Sequence, residues 1–439
     1  MTSIFSENLR IYNAERFKAS VTTDSTINLY LTIGKVDSWS NEASPDQANT
    51  GTSAFNEVWN NMLGAKRITG NDIRHVIPRH NWTSGTVYDI YDNLLCTNDL
   101  FDPDYKFYVV TSDWNVYKCL SNNGGAESTV EPTQTITNNV VEESDGYVWK
   151  FMYNITADER RRFMTDEYIP VKTLQNDNSS LQYQVQDNAI EGAILSYLVT
   201  DGGENFTTAP TITIDGDGTG ATAVANVNTS SNTITRISVI NPGINYTFAN
   251  VNISGTGTGA NARAIISPTG GHGSDPLREL GGSNLIINVR LNNTEGGKLP
   301  IENEYRQIAI IQNPNLRTTG NTANSSVYSQ TVGLTLSTGS SNYIEDELVY
   351  QGGTFATAYF VGRVAAWDSA NNHLTLTNIQ GDVEADVVTG VTSSTARFVE
   401  SITEQDLEAY SGKLLYIDNI SPLQRAIDQT DDVKIIIAF

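Results

Sequence analysis

The hydrophobic positions along the chain fall mostly into short alternating runs, which predict strands rather than long helices. The clearest run is Gly146–Ile155, where Tyr147, Trp149, Phe151, Tyr153 and Ile155 recur at every second residue and share one face of a strand. Burying such a face contributes about 1.5–3 kcal/mol per large side chain. Tyr105–Val110 and Val116–Leu120 flank Thr111–Asn115 and predict a hairpin with a short loop. Thr26–Val36 alternates as a strand, and His75–Trp82 reads as an extended segment broken at Pro78. Helical spacing is rarer. Phe55, Val58, Trp59 and Met62 lie at i, i+3, i+4 and i+7, which predicts one apolar helix face, with Gly64 as a left-handed cap. Asn8–Ser20 predicts a short helix with Ile11, Phe17 and Ala14 on one side. Thr156-Ala-Asp-Glu159 fits a capping box opening a helix to Phe163, after which Tyr168–Val171 is extended again. Ser40–Thr52 reads as a polar loop and Leu316–Ser326 as a polar linker.

The end of the chain constrains the rest. Lys413–Asp418 is a short apolar run, and Val433–Phe439 is almost wholly β-branched or aromatic, which predicts a buried strand with no tail beyond it. Such a strand needs partners laid down more than three hundred residues earlier. A sheet holding both Trp149 and Val433–Phe439 is the expected arrangement.

Between these core-like stretches the chain repeats itself. Ile194–Val227 aligns with Ile234–Ile266: Val199 matches Val239, Gly203 matches Gly243, and Asn205-Phe206-Thr207 matches Asn245-Tyr246-Thr247. Gly218-Thr-Gly-Ala221 likewise matches Gly257-Thr-Gly-Ala260. Each unit predicts three short strands, and two units are needed to bury one face, so they form one small β module. Thr269–Gly282 reads as a glycine-rich joint back to the core. Asn284–Leu291 and Tyr305–Ile311 are core-like. Tyr343–Ser401 holds a second series of strands and turns, a small meander or barrel, with Thr357–Asp368 and His373–Ile379 paired across Asp368–Asn372. The expected fold is therefore mainly β and multidomain: a β-rich core with a few short helices, discontinuous in sequence, carrying two inserted small β modules. The core occupies 1–187, 271–326 and 403–439, and the modules 188–270 and 327–402. The first module is expected to be excisable without loss of core stability.

Charge narrows the partners. With 50 acidic against 27 basic residues the net charge is -23, which opposes binding to nucleic acid or to an anionic membrane. Cys96 and Cys119 are the only cysteines and lack CxxC spacing, so reduced, buried thiols are expected. The start, MTSIFSENLRIYN, has no apolar stretch of signal-peptide length, and no apolar run approaches the 18 residues a membrane helix needs.

The candidate chemistry is thin. His75, His80, His272 and His373 make no HExxH-type pair. His272, between glycines, reads as a solvated loop residue. Asp215-Gly-Asp-Gly-Thr219 resembles the start of a calcium loop but lacks the later ligands, and the second repeat has no acid there. No GxSxG occurs, and an acidic pair such as Glu142 and Glu143 carries little weight among 50 acids. Catalytic, cofactor-binding and metal-binding residues are accordingly expected to be none.

Several segments together carry a resemblance. They are His75-Val-Ile-Pro-Arg-His-Asn-Trp82, Val116-Tyr-Lys-Cys-Leu120, Ser144-Asp-Gly-Tyr-Val-Trp-Lys-Phe151, Asp166-Glu-Tyr-Ile169, the stretch Tyr305–Pro314, Ser411-Gly-Lys-Leu-Leu-Tyr416, and the closing Ala426–Phe439. In order and spacing these resemble the baseplate wedge subunit, the gene-eight product family, of T-even-type contractile-tailed bacteriophages. The resemblance covers 1–175, 284–315 and 405–439 and leaves out both modules. It implies a non-enzymatic, mostly β structural protein of the virion tail baseplate, made in the host cytoplasm. It also implies a homodimer that contacts other wedge proteins, with no cofactor. The alternative from the residues themselves is a host-surface glycan-binding tail protein acting through the modules, where Phe206, Tyr246 and Phe248 are the available aromatic platforms.

Overall fold

The structure, a computed structural model, describes residues 6–49, 51–177, 179–292, 295–300, 303–426 and 428–439. Thr50 of the polar loop, Ile427 of the closing segment and the first five residues of the stretch read for an export signal lie outside the described residues. The chain is mostly β and folds into two compact units. One holds the chain up to Arg16, Arg74–Ile286 and Ile436–Phe439, and the other Phe17–Ile73 and Ile287–Ile435.

The first unit contains the aromatic strand Tyr147–Asn154. It lies in a four-stranded antiparallel sheet between Asn115–Asn122 and Val141–Glu142, with Tyr108–Val110 at the far edge. Both faces of the strand are buried, because clusters pack on each side. Tyr147, Trp149 and Phe151 join Tyr88, Tyr117, Cys119 and Val185, and Trp149 stacks on Tyr147 at 5.4 Å. Tyr153 and Ile155 leave that face and join Val148, Met152 and Phe107 instead. A register shift at Val116/Tyr117, which pair with Tyr153 and Phe151, leaves Met152 as an extra unpaired residue and turns the strand over, which strict alternation does not anticipate. Trp149 is fully buried, but its sheet does not contain the C-terminal strand.

The repeats build a second part of this unit by exchanging strands. The first strand of repeat one, Ile194–Glu204, pairs with the third of repeat two, Thr258–Ile266. The third of repeat one, Thr219–Asn228, pairs with the first of repeat two, Thr233–Ile244. The middle strands, Thr211–Gly216 and Ala249–Ser254, pair with each other. Val199 thus faces Ala262 as Val239 faces Ala223, and neither repeat forms its sheet alone. The turns obey the same symmetry: Asn205 and Asn245 have φ of 67° and 61°, and Gly203 and Gly243 62° and 65°. The module is also seated on its neighbours. Ile265 lies in the cluster of Phe107 and Met152, Ser196 Oγ donates to the Leu120 carbonyl at 2.5 Å, and Arg263 is paired with Asp92.

In the second unit a five-stranded antiparallel sheet runs in the order Val327–Ser329, Met62–Ile68, Leu29–Gly34, Glu304–Gln312, Lys413–Gln424. Leu31 pairs with both Lys66 and Ile310, and Ile310 pairs with Tyr416, so the late chain does complete a sheet begun near its start. All six residues of Leu29–Gly34 are buried because both faces are covered. The helix Thr52–Asn61 carries Val58 and Trp59 inward, but Met62 already begins the next strand. Gly64 is therefore not a helix cap. It lies inside a strand, where an added Cβ would stand 2.1 Å from Leu299 Cδ2. The stretch read as a linker, 316–326, is not wholly exposed, since Ala323 is fully buried. The second series of strands closes into a six-stranded barrel when Val332–Leu336 pairs with Ala396–Thr403. Leu334, Val349, Phe360, Val364, Leu374 and Leu376 fill it.

The last strand, Asp431–Ile437, adjoins Asn284–Leu291 and buries only Ile435, while Ile436 is 37% exposed. The buried terminal strand expected from composition is an edge strand instead. An edge position covers one side of the backbone only, so a β-branched run there is half-wetted. Among the described residues three short helices escaped the pattern: Thr97–Leu100, Leu181–Asp187, capped by the Ser180 hydroxyl, and Pro276–Glu279, capped by Asp275.

Candidate functional site

The positions singled out by chemistry are scattered. His75 is buried, with Nδ1 2.8 Å from the Gly282 carbonyl oxygen. The His80 ring lies tilted against that of Tyr108 at 5.0 Å, and burial, with the Lys106 charge, pushes its pKa down to about 4. His373 opens a barrel strand opposite Thr335. Among the described residues no group of three or more His, Cys, Asp or Glu is placed to hold a metal ion. The Asp215 and Asp217 carboxylates are engaged within the module. Asp217 accepts hydrogen bonds from the Thr247 hydroxyl and from the Thr247 and Phe248 backbone amides, the last two at 2.9 and 3.2 Å, and these hold its pKa down to about 2, while Asp215 accepts from Asn252. Glu142 accepts from Arg236 across 2.5 Å. Both cysteines are free. Cys119 is buried and its thiol is pushed up by burial, but Cys96 is exposed, contrary to expectation, because it precedes a surface turn of helix.

His272 is the largest departure. It is 2% exposed, not solvated, and the supposed joint 269–282 is folded into the unit around it. The reason is Glu279, on the short helix Pro276–Glu279. Its carboxylate accepts the Gly273 amide at 2.8 Å and the Asp275 amide at 3.1 Å, drawing the glycine-rich segment into a closed loop. Gly271 and Gly273 permit this with φ of 99° and 92°. The same carboxylate is paired with the fully buried Lys118 ammonium, which lies over the Tyr91 ring at 4.8 Å. Sequence spacing could not reveal this pair, since the partners lie 161 residues apart.

The feature best suited to contact with another chain is the strand Lys413–Gln424. It forms the outer edge of its five-stranded sheet, pairing with Glu304–Gln312 on one side only. The loop before the helix Thr52–Asn61 touches it near its middle, where Trp39 Nε1 donates to the Ile420 carbonyl at 3.0 Å and Asn419 Nδ2 to that of Asp46 at 2.9 Å. Leu415 and Leu423 are 42% and 48% exposed. A groove of about 360 Å³ runs along the first half of the strand, lined by Gly51, Thr52 and Phe55 opposite Gly412–Ile417. An edge with free backbone groups and apolar side chains is a template for pairing with another strand.

No protein-family model matches the chain. Among curated proteins it is similar to baseplate wedge protein gp8 of Enterobacteria phage T4. The two are 24% identical, over 37% of this chain and 63% of that protein. The match thus spans less than two thirds of the relative's length.

Proposed function

We propose that the chain is a structural subunit of a contractile-tail baseplate wedge, assembled in the host cytoplasm, and that it acts as a homodimer connecting other wedge proteins without catalysis. The similarity to the T4 baseplate wedge protein carries this reading. In this reading 188–270 and 327–402 are modules inserted into a core made of 1–187, 271–326 and 403–439. The exposed edge Lys413–Gln424 supports a twofold contact, because antiparallel pairing of a strand with its own copy is self-complementary. A net charge of -23 disfavours a contact made of charges, since the copies repel. An apolar centre around Leu415 with acids at the rim fits that constraint.

Sedimentation of the purified chain at low and high salt tests the dimer. A dimer that persists or tightens as salt screens the repulsion agrees with the reading, and a monomer at micromolar concentration, or a dimer that dissociates as salt rises, contradicts it. The glycan-binding alternative is less well supported. Phe206 and Tyr246 are 2% and 4% exposed inside the module, leaving Phe248 as the exposed ring of the three.

A further inference from the structure

A cavity of about 500 Å³ opens where the module's base meets the aromatic sheet, inside the first unit. That lies within the roughly 300–1,000 Å³ of ordinary ligand sites. Its apolar lining includes Val140, Ile190, Leu195 and Val239, and two basic side chains, Lys150 and His272, reach it from below. Both are deeply buried, at 3% and 2% exposure.

Each has unused hydrogen-bonding capacity. Lys150 Nζ donates to the Thr137 and Asn139 carbonyls at 3.1 and 3.4 Å, which leaves one of three protons uncommitted. Neither ring nitrogen of His272 has a hydrogen-bond partner, although the ring is fixed edge-on against Tyr91 at 5.0 Å. A buried imidazole with two unpaired nitrogens is costly unless something occupies the space before it. Both line the same cavity, and Lys150 Cε lies 3.6 Å from where a Cβ on Gly273, the residue after His272, would stand.

The charges do not balance either. Lys118 and Lys150 are cationic and Glu279 is anionic, so this buried region carries one uncompensated positive charge. Lys118 and Glu279 lie behind the lining, and the acid on the lining itself, Glu142, is exposed and held by Arg236. One negative charge would restore neutrality. A dianion such as phosphate would overshoot it, and the apolar walls suit a hydrocarbon body better than a solvated ion.

We propose that this cavity binds a monocarboxylate with an apolar body, its carboxylate received by Lys150 Nζ and the His272 N–H. The ligand is either a free organic acid or the carboxyl terminus of a peptide, and the inference stands independently of the assembly reading.

Calorimetric titration of the full chain tests it with 3-phenylpropionate, 3-phenylpropionamide, and the tripeptide Gly-Gly-Phe with a free or amidated terminus. The acid is expected to bind saturably and its amide at least about tenfold more weakly. Lys150→Met, which keeps the stem and drops the charge, should weaken the acid by about tenfold or more while thermal unfolding shows the chain folded. Tighter binding of the free tripeptide than of the small acid identifies a peptide terminus as the natural ligand, and the reverse order identifies an organic acid. Equal binding of acid and amide, no binding of any carboxylate at about 10 mM, or undiminished binding by folded Lys150→Met would overturn the proposal.

Discussion

Lys118 and Glu279 form an ion pair with both side chains almost completely shielded, at 0% and 3% exposure. The pair joins the centre of the aromatic sheet to the glycine-rich loop that returns from the repeat module. Burial drives the Lys118 pKa down and Glu279 opposes that, so the lysine is a charge kept in place by its partner. Glu279→Gln retains an acceptor for the Gly273 amide but strands the ammonium, and is expected to destabilise the first unit by about 3–5 kcal/mol. Adding Lys118→Met should recover most of that loss, because an apolar side chain of similar volume needs no counter-charge. Denaturant unfolding followed by tryptophan fluorescence compares the two variants. Equal stability of the single variant and the parent would contradict the role given to the pair.

Lys150 makes the same region sensitive to alkaline pH. Burial, and next the Lys118 charge, push its pKa down to about 8 from the ordinary 10.5. Between those values the unfolded chain binds more protons than the folded one at this position, so its contribution to stability improves as pH rises from about 8 towards 10. The buried tyrosines act in the opposite sense only above about 10, where the unfolded phenols ionise first. Thermal unfolding of the parent and Lys150→Met across pH 7–10 should show this slope in the parent and its loss in the variant.

The histidines provide an acid counterpart. His80, depressed to about 4, stays neutral in the folded chain while the unfolded residue takes up a proton below about 6.5. Stability should therefore fall as pH drops through that interval, and His80→Asn should flatten the fall. Histidine NMR is expected to place the His80 midpoint near 4 and to show no His272 midpoint near 6.5, since burial and the charges of Lys118 and Lys150 depress it too. A solvent-like titration of either ring would contradict the burial described.

Repeat symmetry predicts matched effects of matched glycines. A Cβ on Gly218 would stand 2.4 Å from the Tyr246 ring, and one on Gly257 2.6 Å from the Phe206 ring. Gly218→Ala and Gly257→Ala should each destabilise the module by about 1–3 kcal/mol through overpacking. Gly353→Ala, where nothing lies within 4 Å, should stay within about 0.5 kcal/mol of the parent. Excising 188–270 is expected to lower the stability of the remainder, because Ile265 and Ser196 are removed from their partners.

The edge strand yields the most direct prediction about assembly. Leu415→Lys together with Leu423→Lys places charge where the proposed twofold contact would need apolar contact. Lysine on an edge is a natural deterrent to pairing. Dimer dissociation should become at least about a hundredfold easier while thermal unfolding changes little, since both side chains are half exposed. Sedimentation equilibrium reads the first effect and calorimetry the second.

Local patterns reported much of this fold. The strand at Tyr147, the Thr156 N-cap and the strand count of both repeats follow from periodicity and turn chemistry alone, although the Glu159 carboxylate pairs with Arg74 and Lys172 rather than closing a capping box on the Thr156 amide. What escaped depended on partners distant in sequence. Gly64 was read from the helix before it, whereas Leu299 and the strand pairing determine its place. The Asp431–Ile437 strand has buried-strand composition but an edge position, and composition does not encode strand order. His272 looked solvated between two glycines, and only Glu279 and Lys118 reveal that those glycines fold the loop inward. The exchange of strands between the repeats was likewise hidden, because aligned sequences do not state which copies pair.

The central claim, membership of a baseplate, is tested most directly by locating the chain in phage particles. Particles assembled with an epitope-tagged copy can be labelled with gold and imaged by electron microscopy. Label confined to the distal end of the contractile tail is the predicted result. Its absence from particles, or its position on the head or along the sheath, would contradict the account.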